Sequence, residues 1–311
     1  VGLRIVALAG GVGGAKLADG LARNLRQEDL SVVVNTGDDF EHFGLQICPD
    51  LDTMTYTLAG LADPARGWGR ADESWHFLQT LELLGGPTWF QLGDRDLALH
   101  VERTRRLRQG QTLTEVTEHI RGALGVAVAI LPMSDQPVAT IVLTDEGPLP
   151  FQEYFVARRC EPRVRGLLFK RSEQAAPSPK VRAALKGCDA VVFCPSNPWV
   201  SLDPILDLPG MRELVQGKPV VGVSPIVGGR ALKGPAAKMF RQMGVEPSSL
   251  AVAKHYQGLL SGLVIDVQDA EQEQDVAALG VKVLVTNTIM KDVPARSHLG
   301  KEVLDFVRGL V

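Results

Sequence analysis

Apolar positions fall into short unbroken runs, and the stretches between them carry helical periodicity. Arg4 to Ala9, Ser31 to Asn35, Ala190 to Cys194, Val220 to Val223, Leu263 to Val267 and Val281 to Val285 are rich in β-branched residues without polar alternation. That is the pattern of parallel strands covered on both faces. Within Ala15 to Leu25, Leu17, Leu21 and Leu25 recur four apart, forming a single apolar stripe. Similar amphipathic stretches occupy 72–84, 112–123, 232–243 and 299–309. Strand and helix in alternation predict an α/β fold with a Rossmann-like, doubly wound, mostly parallel sheet.

The region from about 126 to 170 breaks this rhythm. Val126 to Leu131, Ala139 to Thr144, Gln152 to Ala157 and Arg165 to Phe169 are strand-like, and turns such as Asp145-Glu146-Gly147-Pro148 separate them. Helical periodicity is absent there, which predicts an antiparallel or mixed lobe. Glu173 to Lys180, with Pro177 and Pro179, reads as the return linker. The expected organisation is a nucleotide- and metal-binding core of 1–125 and 181–311, with a strand-rich lobe of 126–180 inserted in it.

Composition narrows the function classes. The chain has 311 residues, 45% hydrophobic and 22% charged, with a net charge of -3. These values describe a globular protein and argue against a nucleic-acid partner, which calls for a basic excess. No apolar run is long enough to cross a bilayer, and Val1-Gly2-Leu3-Arg4 runs into the first strand without a basic-plus-apolar leader. Cys48, Cys160, Cys188 and Cys194 form no C-x-x-C pair, so reduced thiols and a cytoplasmic location are expected.

The candidate chemistry lies where the strands end. Ligands of open α/β sheets bind beyond the carboxyl ends of the strands. Here the first strand ends in Gly10-Gly11-Val12-Gly13-Gly14 and the second in Asn35-Thr36-Gly37-Asp38-Asp39. Two later strands end in Pro195-Ser196-Asn197-Pro198 and Ser224-Pro225-Ile226-Val227-Gly228-Gly229. Glycines followed by a helix suit a phosphate, because the backbone can come close and the helix start offers free N–H groups. Gly10 to Lys16 is neither a P-loop nor a clean G-x-G-x-x-G, since Lys16 stands where the third glycine belongs.

Asp38-Asp39 and Pro49-Asp50-Leu51-Asp52-Thr53 supply the acidic part of the rim. Carboxylates this dense repel one another unless a cation joins them, and oxygen ligands suit Mg²⁺. Taken singly, Asp50 also fits a helix N-cap and Asp39 a solvated side chain. In Gly93-Asp94-Arg95-Asp96, a compact charged turn, Arg95 is either a local ion-pair partner or a side chain aimed at substrate. Lys233-Gly234-Pro235 places a cation near a helix start, and Arg230 and Lys238 lie close by. The six histidines, at 42, 76, 100, 119, 255 and 298, show no metal-ligand spacing.

Together these blocks resemble the 2-phospho-L-lactate transferase family of coenzyme F-420 biosynthesis. The likeness runs through Gly10-Gly11-x-Gly13-Gly14-Ala15-Lys16-Leu17, Val34-Asn35-Thr36-Gly37-Asp38-Asp39 and Gly44-Leu45-x-x-x-Pro49-Asp50-Leu51-Asp52-Thr53. It continues in Gly67-Trp68-Gly69, Leu92-Gly93-Asp94-Arg95-Asp96, Leu131-Pro132-Met133-Ser134-Asp135, Pro195-Ser196-Asn197-Pro198, Ser224 to Gly229 and Leu232-Lys233-Gly234. The final 70 residues or so carry less of it. Phe40 to Cys48 and Asp63 to Gly69 look more like the bacterial branch than the archaeal one.

The resemblance implies a Mg²⁺-dependent transfer of a phosphorylated three-carbon acid from a GDP-activated donor. The acceptor would be the ribityl hydroxyl of the deazaflavin Fo, and GMP would leave. It implies the diphosphate over Gly11, Val12, Gly13 and Gly14, and the guanosine near Ser196, Asn197 and the turn containing Ser224, Gly228 and Gly229. Lys16, Asn35 and Lys233 complete the nucleotide-binding set. Metal ligands would come from Asp38, Asp39, Asp50 and Asp52, and Asp50, Asp52 and Arg95 are the catalytic candidates. A homodimer is expected. The acid carried stays open between 2-phospholactate, phosphoenolpyruvate and 3-phosphoglycerate derivatives. Two other readings compete: an NAD-dependent dehydrogenase, which needs one ribose-binding acid and not a cluster, and a nucleotide-sugar-binding regulator with no Fo pocket.

Overall fold

Seven strands pair side by side in one direction to make the central sheet. The computed structural model describes residues 2–311, so Val1 of the opening stretch lies outside the described residues. In chain order the strands are β1 (Ile5–Ala9), β2 (Leu30–Val34), β3 (Phe40–His42), β4 (Leu45–Ile47), β5 (Ala129–Pro132), β6 (Ala139–Thr144) and β7 (Gly147–Pro150). They continue with β8 (Val164–Lys170), β9 (Ala190–Phe193), β10 (Val220–Val223), β11 (Ile226–Val227), β12 (Arg230–Ala231), β13 (Gly262–Asp266) and β14 (Lys282–Thr286). The sheet order is β5-β2-β1-β9-β10-β13-β14, and every neighbouring pair is parallel.

The unbroken apolar runs follow from burial on both faces. Ile5, Ala7 and Ala9 of β1 pack with Leu17 and Leu21 of the helix Gly11–Ala22 and Leu299 and Val303 of the helix Val293–Arg308. Val6 and Leu8 pack instead with Val181 and Leu185 of Pro179–Gly187 and with Met239, Phe240 and Val252. Successive side chains point to opposite faces, so both sets must be apolar. The chain builds β1, β2 and β5 outward in one direction, then returns to place β9 on the other side of β1. That reversal between β1 and β9 is the topological switch point.

The inserted strands depart from expectation in three places. Val126 to Leu131 does not join an antiparallel lobe: its residues Ala129–Pro132 are β5, paired parallel with β2 in the main sheet. The antiparallel sheet is β7-β6-β8. Gln152 to Ala157 is not a strand but leads into a π-helical turn at Glu153–Ala157, because Phe151 and Tyr154 are both buried and alternation would expose one of them. The expected linker Glu173 to Lys180 ends inside a helix, with Ser178 accepting from the Val181 N–H and Pro179 in its first turn.

Helices form at 113–123, 76–83, 236–242 and 293–308, close to the predicted stretches. The pair Thr112 and Glu115 makes a capping box at the first of these. Two further helices, Pro49–Leu58 and Asp94–Arg108, are not among the predicted stretches: the first is short, with Leu51, Met54 and Leu58 on its core face, and the second buries His100, Arg103 and Thr104 in place of leucines. The charged turn Gly93 to Asp96 is in fact the start of the second: Gly93 is its N-cap, and Glu73 accepts the Arg95 and Asp96 N–H groups at 2.8 Å each.

Candidate functional site

A cavity of about 1050 Å³ opens at the carboxyl ends of the parallel strands, over the switch point. Its floor is the β1 loop, which runs into the helix Gly11–Ala22 with no side-chain cap from Gly10; Asp50 takes the Gly11 N–H, and the next N–H groups of the first turn are left for a ligand. A Cβ added to Gly13 would collide with the Pro195 carbonyl oxygen after β9. Only glycine lets these two loops lie that close. Ser196 ties them together, accepting from the Gly10 N–H at 3.2 Å and donating to the Gly10 carbonyl at 2.8 Å.

The acidic side arrives on the helix Pro49–Leu58. Pro49 fits the first turn, where its missing N–H costs nothing, and Asp50 and Asp52 suit the positive helix start. Asp50 points at the glycine loop: Oδ1 accepts the Gly11 N–H at 2.7 Å, and Oδ2 accepts from Asn35 Nδ2 at 3.0 Å. Burial pushes the Asp50 carboxyl up to about 6, against the pull of the Asn35 and Gly11 hydrogen bonds. Burial, and then the charge of Asp50, push Asp38 well above the usual carboxylate range. Oδ1 of Asp38 is buried and has no hydrogen-bond partner.

Asp52 faces the other way. Arg103, on the helix Asp94–Arg108 and buried at 2% exposure, binds both of its oxygens, with Nη1 to Oδ2 at 3.1 Å and Nη2 to Oδ1. Nη1 also contacts Nδ1 of His100 at 3.1 Å. Asp96, one turn before His100, lies 3.3 Å from its Nε2 and accepts the Tyr56 hydroxyl at 2.6 Å. Asp52, Asp96 and His100 can each place a ligand atom within 4.8 Å of the others, a group that could hold a metal ion.

Lysines also line the cavity. Lys16 donates to the Met290 carbonyl at 2.9 Å, and Lys233 donates to the Gly67 carbonyl at 3.1 Å. Burial, with the charges of Arg296 and Lys233, lowers the Lys16 pKa. Aromatic rings line the cavity as well: Trp68, Trp89 and Phe90, with Phe151 and Phe155 of the inserted segment. The last two are stacked, with centroids 5.5 Å apart.

Of the residues expected at the site, Gly11, Val12, Gly13, Lys16, Asp38, Asp50, Asp52, Ser196, Asn197, Ser224 and Lys233 line this one cavity. Asn35 is fully buried behind Asp50. Gly14 packs against Ser196 and Ala9 beneath the loop. Asp39 is half-buried and does not line the cavity. Gly228 and Gly229 make the β11–β12 turn with φ of 55° and 71°, back from the cavity wall. Arg95 is exposed and also outside the lining; the buried arginine of this helix is Arg103.

His100, expected to show no metal-ligand spacing, stands at this site with Arg103 and Tyr56, which no motif marks. Their signal is spacing. Asp96, His100 and Arg103 stand four and three apart, one face of a helix, and Asp52 and Tyr56 stand four apart on the facing one. Thr288 to Lys291, which line the cavity from the carboxyl-terminal region, carry no such signal, and neither does the wall contributed by Phe151 to Arg159.

A glycine loop at the switch point of a parallel sheet, lined by buried carboxylates and by lysines, is the arrangement expected of an α/β protein that handles phosphates. Sequence relatives sharpen this. The family described as 2-phospho-L-lactate transferase CofD matches residues 5–292, and the chain belongs to that family. A protein of Streptomyces griseus named phosphoenolpyruvate transferase is 42% identical over 311 residues, covering 97% of this chain and 98% of its own. One of Methanosarcina mazei named 2-phospho-L-lactate transferase is 39% identical over 300 residues, covering 96% and 99%. A solved structure of a UPF0052 family protein from Bacillus halodurans shares the fold, with a TM-score of 0.63 at 14% identity, covering 98% of this chain and 99% of that one.

Proposed function

We propose that this chain transfers a phosphorylated three-carbon acid from a GDP-activated donor to the ribityl hydroxyl of the deazaflavin Fo, releasing GMP, in coenzyme F-420 biosynthesis. One observation carries the reading: Gly11 of the phosphate-type loop donates to Asp50 at 2.7 Å, so phosphate-binding and acidic elements serve a single cavity. Family membership and the relatives' names support the reaction class.

The donor's diphosphate lies over Gly11 to Gly13, with Lys16 and Lys233 offsetting its charge. Ser196, Asn197 and Ser224 flank the guanosine. The planar acceptor lies against the aromatic wall of Trp89, Phe90 and Phe155, where a tricyclic ring finds flat apolar partners. Asp52, held rigidly by Arg103, orients the ribityl hydroxyl toward the phosphorus next to the acid. Transfer of this kind asks mainly for positioning and charge neutralisation.

Asp38 and Asp50 fit a magnesium ion. They are oxygen donors, they repel one another, and Asp38 has a buried oxygen without a partner. When bound, Mg²⁺ supplies charge neutralisation at the diphosphate. A titration of purified protein with Fo, followed by deazaflavin fluorescence, tests the acceptor site. Saturable binding that GDP and Mg²⁺ strengthen supports the reading, and nucleotide binding without any Fo binding contradicts it.

A further inference from the structure

We infer that Arg103 is the resident cation of the Asp52, Asp96 and His100 group, a positioning residue that keeps this group from being a divalent-metal site. This refines the ligand assignment proposed above, in which the ion sits on Asp38 and Asp50.

A cation already occupies this group. A guanidinium only donates, so in the 3.1 Å contact between Arg103 Nη1 and His100 Nδ1 the ring nitrogen can serve only as an acceptor, sharing the two Nη1 protons with Asp52 Oδ2 and the Gln46 carbonyl. In that arrangement the ring proton sits on Nε2, 3.3 Å from Asp96 Oδ1 but without a hydrogen bond to it. A histidine ligand needs a free nitrogen lone pair, and neither nitrogen offers one. Both oxygens of Asp52 accept from Arg103. The Asp96 oxygen nearest the ring accepts from Tyr56. Nη1 of Arg103 further reaches the Gln46 carbonyl at 3.3 Å, which anchors the guanidinium to the β3–β4 hairpin. Asp50 also accepts at both oxygens, but from the neutral Gly11 and Asn35 donors, so it is the charge of Arg103 that sets the two groups apart.

The contrast with Asp38 is chemical. Its Oδ1 is buried without any donor, and no arginine or lysine pairs with Asp38 or Asp50 within salt-bridge distance among the described residues. One helix face thus carries its own cation, and the other acids await one. The carboxylates divide accordingly, with Asp38 and Asp50 turned toward an ion and Asp52 kept as a fixed, oriented acceptor.

The test is equilibrium dialysis with Mn²⁺ on the full chain with GDP present, comparing wild type, His100→Gln, Asp38→Asn and Arg103→Met. Glutamine keeps an acceptor for Arg103 while removing the imidazole. His100→Gln is expected to leave ion stoichiometry and affinity unchanged, whereas Asp38→Asn weakens binding by at least about tenfold. Arg103→Met is expected to gain one ion per chain, and adding His100→Gln removes it again. Loss of the wild-type ion in His100→Gln would overturn the proposal, as would a folded Arg103→Met that gains none. If Arg103→Met does not fold, the wild-type comparison still decides, together with the ¹⁵N shift of His100: an unprotonated Nδ1 supports the proposal, and a protonated one refutes it. Because ion binding is read, not turnover, a failed transferase assay would not be mistaken for failure here.

Discussion

Oδ1 of Asp50 accepts the Gly11 backbone N–H at 2.7 Å while its Oδ2 accepts from Asn35 at 3.0 Å. The first turn of one helix is thereby fastened to the start of another and to the end of β2. The carboxylate sits buried at 7% exposure, and its pKa of about 6 records that burial outweighs those two donors.

The pH dependence of stability follows. A carboxyl raised from an ordinary value near 4 to about 6 binds its proton more tightly when folded. Its stabilising contribution is present at pH 4 and below and is lost as pH rises through about 6. In urea unfolding without divalent ions, Asp50→Asn should gain on wild type by about 2 kcal/mol between pH 4.5 and pH 7.5. A stability difference independent of pH would contradict this assignment.

Removing the guanidinium beside Asp52 should be costly, because a buried charge is left alone. Arg103→Met is expected to lose about 3–5 kcal/mol. The double variant Arg103→Met with Asp52→Leu should recover much of that loss, since the carboxylate that Arg103 neutralises is then removed with it. Thermal and urea unfolding of the three proteins measure it. Equal losses in single and double variants would show that the pair's electrostatics are not the cause.

The glycines of the β1 loop should not behave alike. Gly11 has φ of 63° but open space around an added Cβ, so Gly11→Ala costs about 1–2 kcal/mol of backbone strain. Gly13→Ala drives a methyl into the Pro195 carbonyl and must separate the β1 and β9 loops. Calorimetric GDP affinity should fall by more than about tenfold for Gly13→Ala, equivalent to at least about 1.4 kcal/mol, and less for Gly11→Ala. The reverse order would remove the nucleotide from this loop.

Lys16 accepts a costly position: half-buried, near Arg296 and Lys233, with a carbonyl as its only hydrogen-bond partner among the described residues. Lys16→Met should keep or raise thermal stability while weakening GDP by about tenfold or more, most strongly at low salt. An unchanged GDP affinity would place the diphosphate elsewhere.

The sheet is legible because parallel strands buried on both faces leave unbroken apolar runs, and the six core strands read from those runs all exist. Ala129–Pro132 falls in the main sheet and not the inserted one, because strand propensity does not reveal a strand's partner, which here is β2. The helix Asp94–Arg108 is hidden for a different reason. It is rich in charge, and its buried face carries His100, Arg103 and Thr104 in place of leucines. The same substitution of polar for apolar residues hides half of the site. Asp50 and Asp38 are visible as dense acids, but the partner that separates Asp52 from them, Arg103, sits 51 positions away in the chain. Only folding brings the two helices face to face.

The most direct test of the transferase reading mixes purified protein with Fo, Mg²⁺ and GDP-activated phosphoenolpyruvate or 2-phospholactate, and follows products by mass spectrometry. Equimolar GMP and a phosphodiester-linked deazaflavin are expected with at least one donor, and both should be lost in Asp50→Asn. Intact Fo and no GMP with either donor, from a protein that still binds GDP, would contradict the reading.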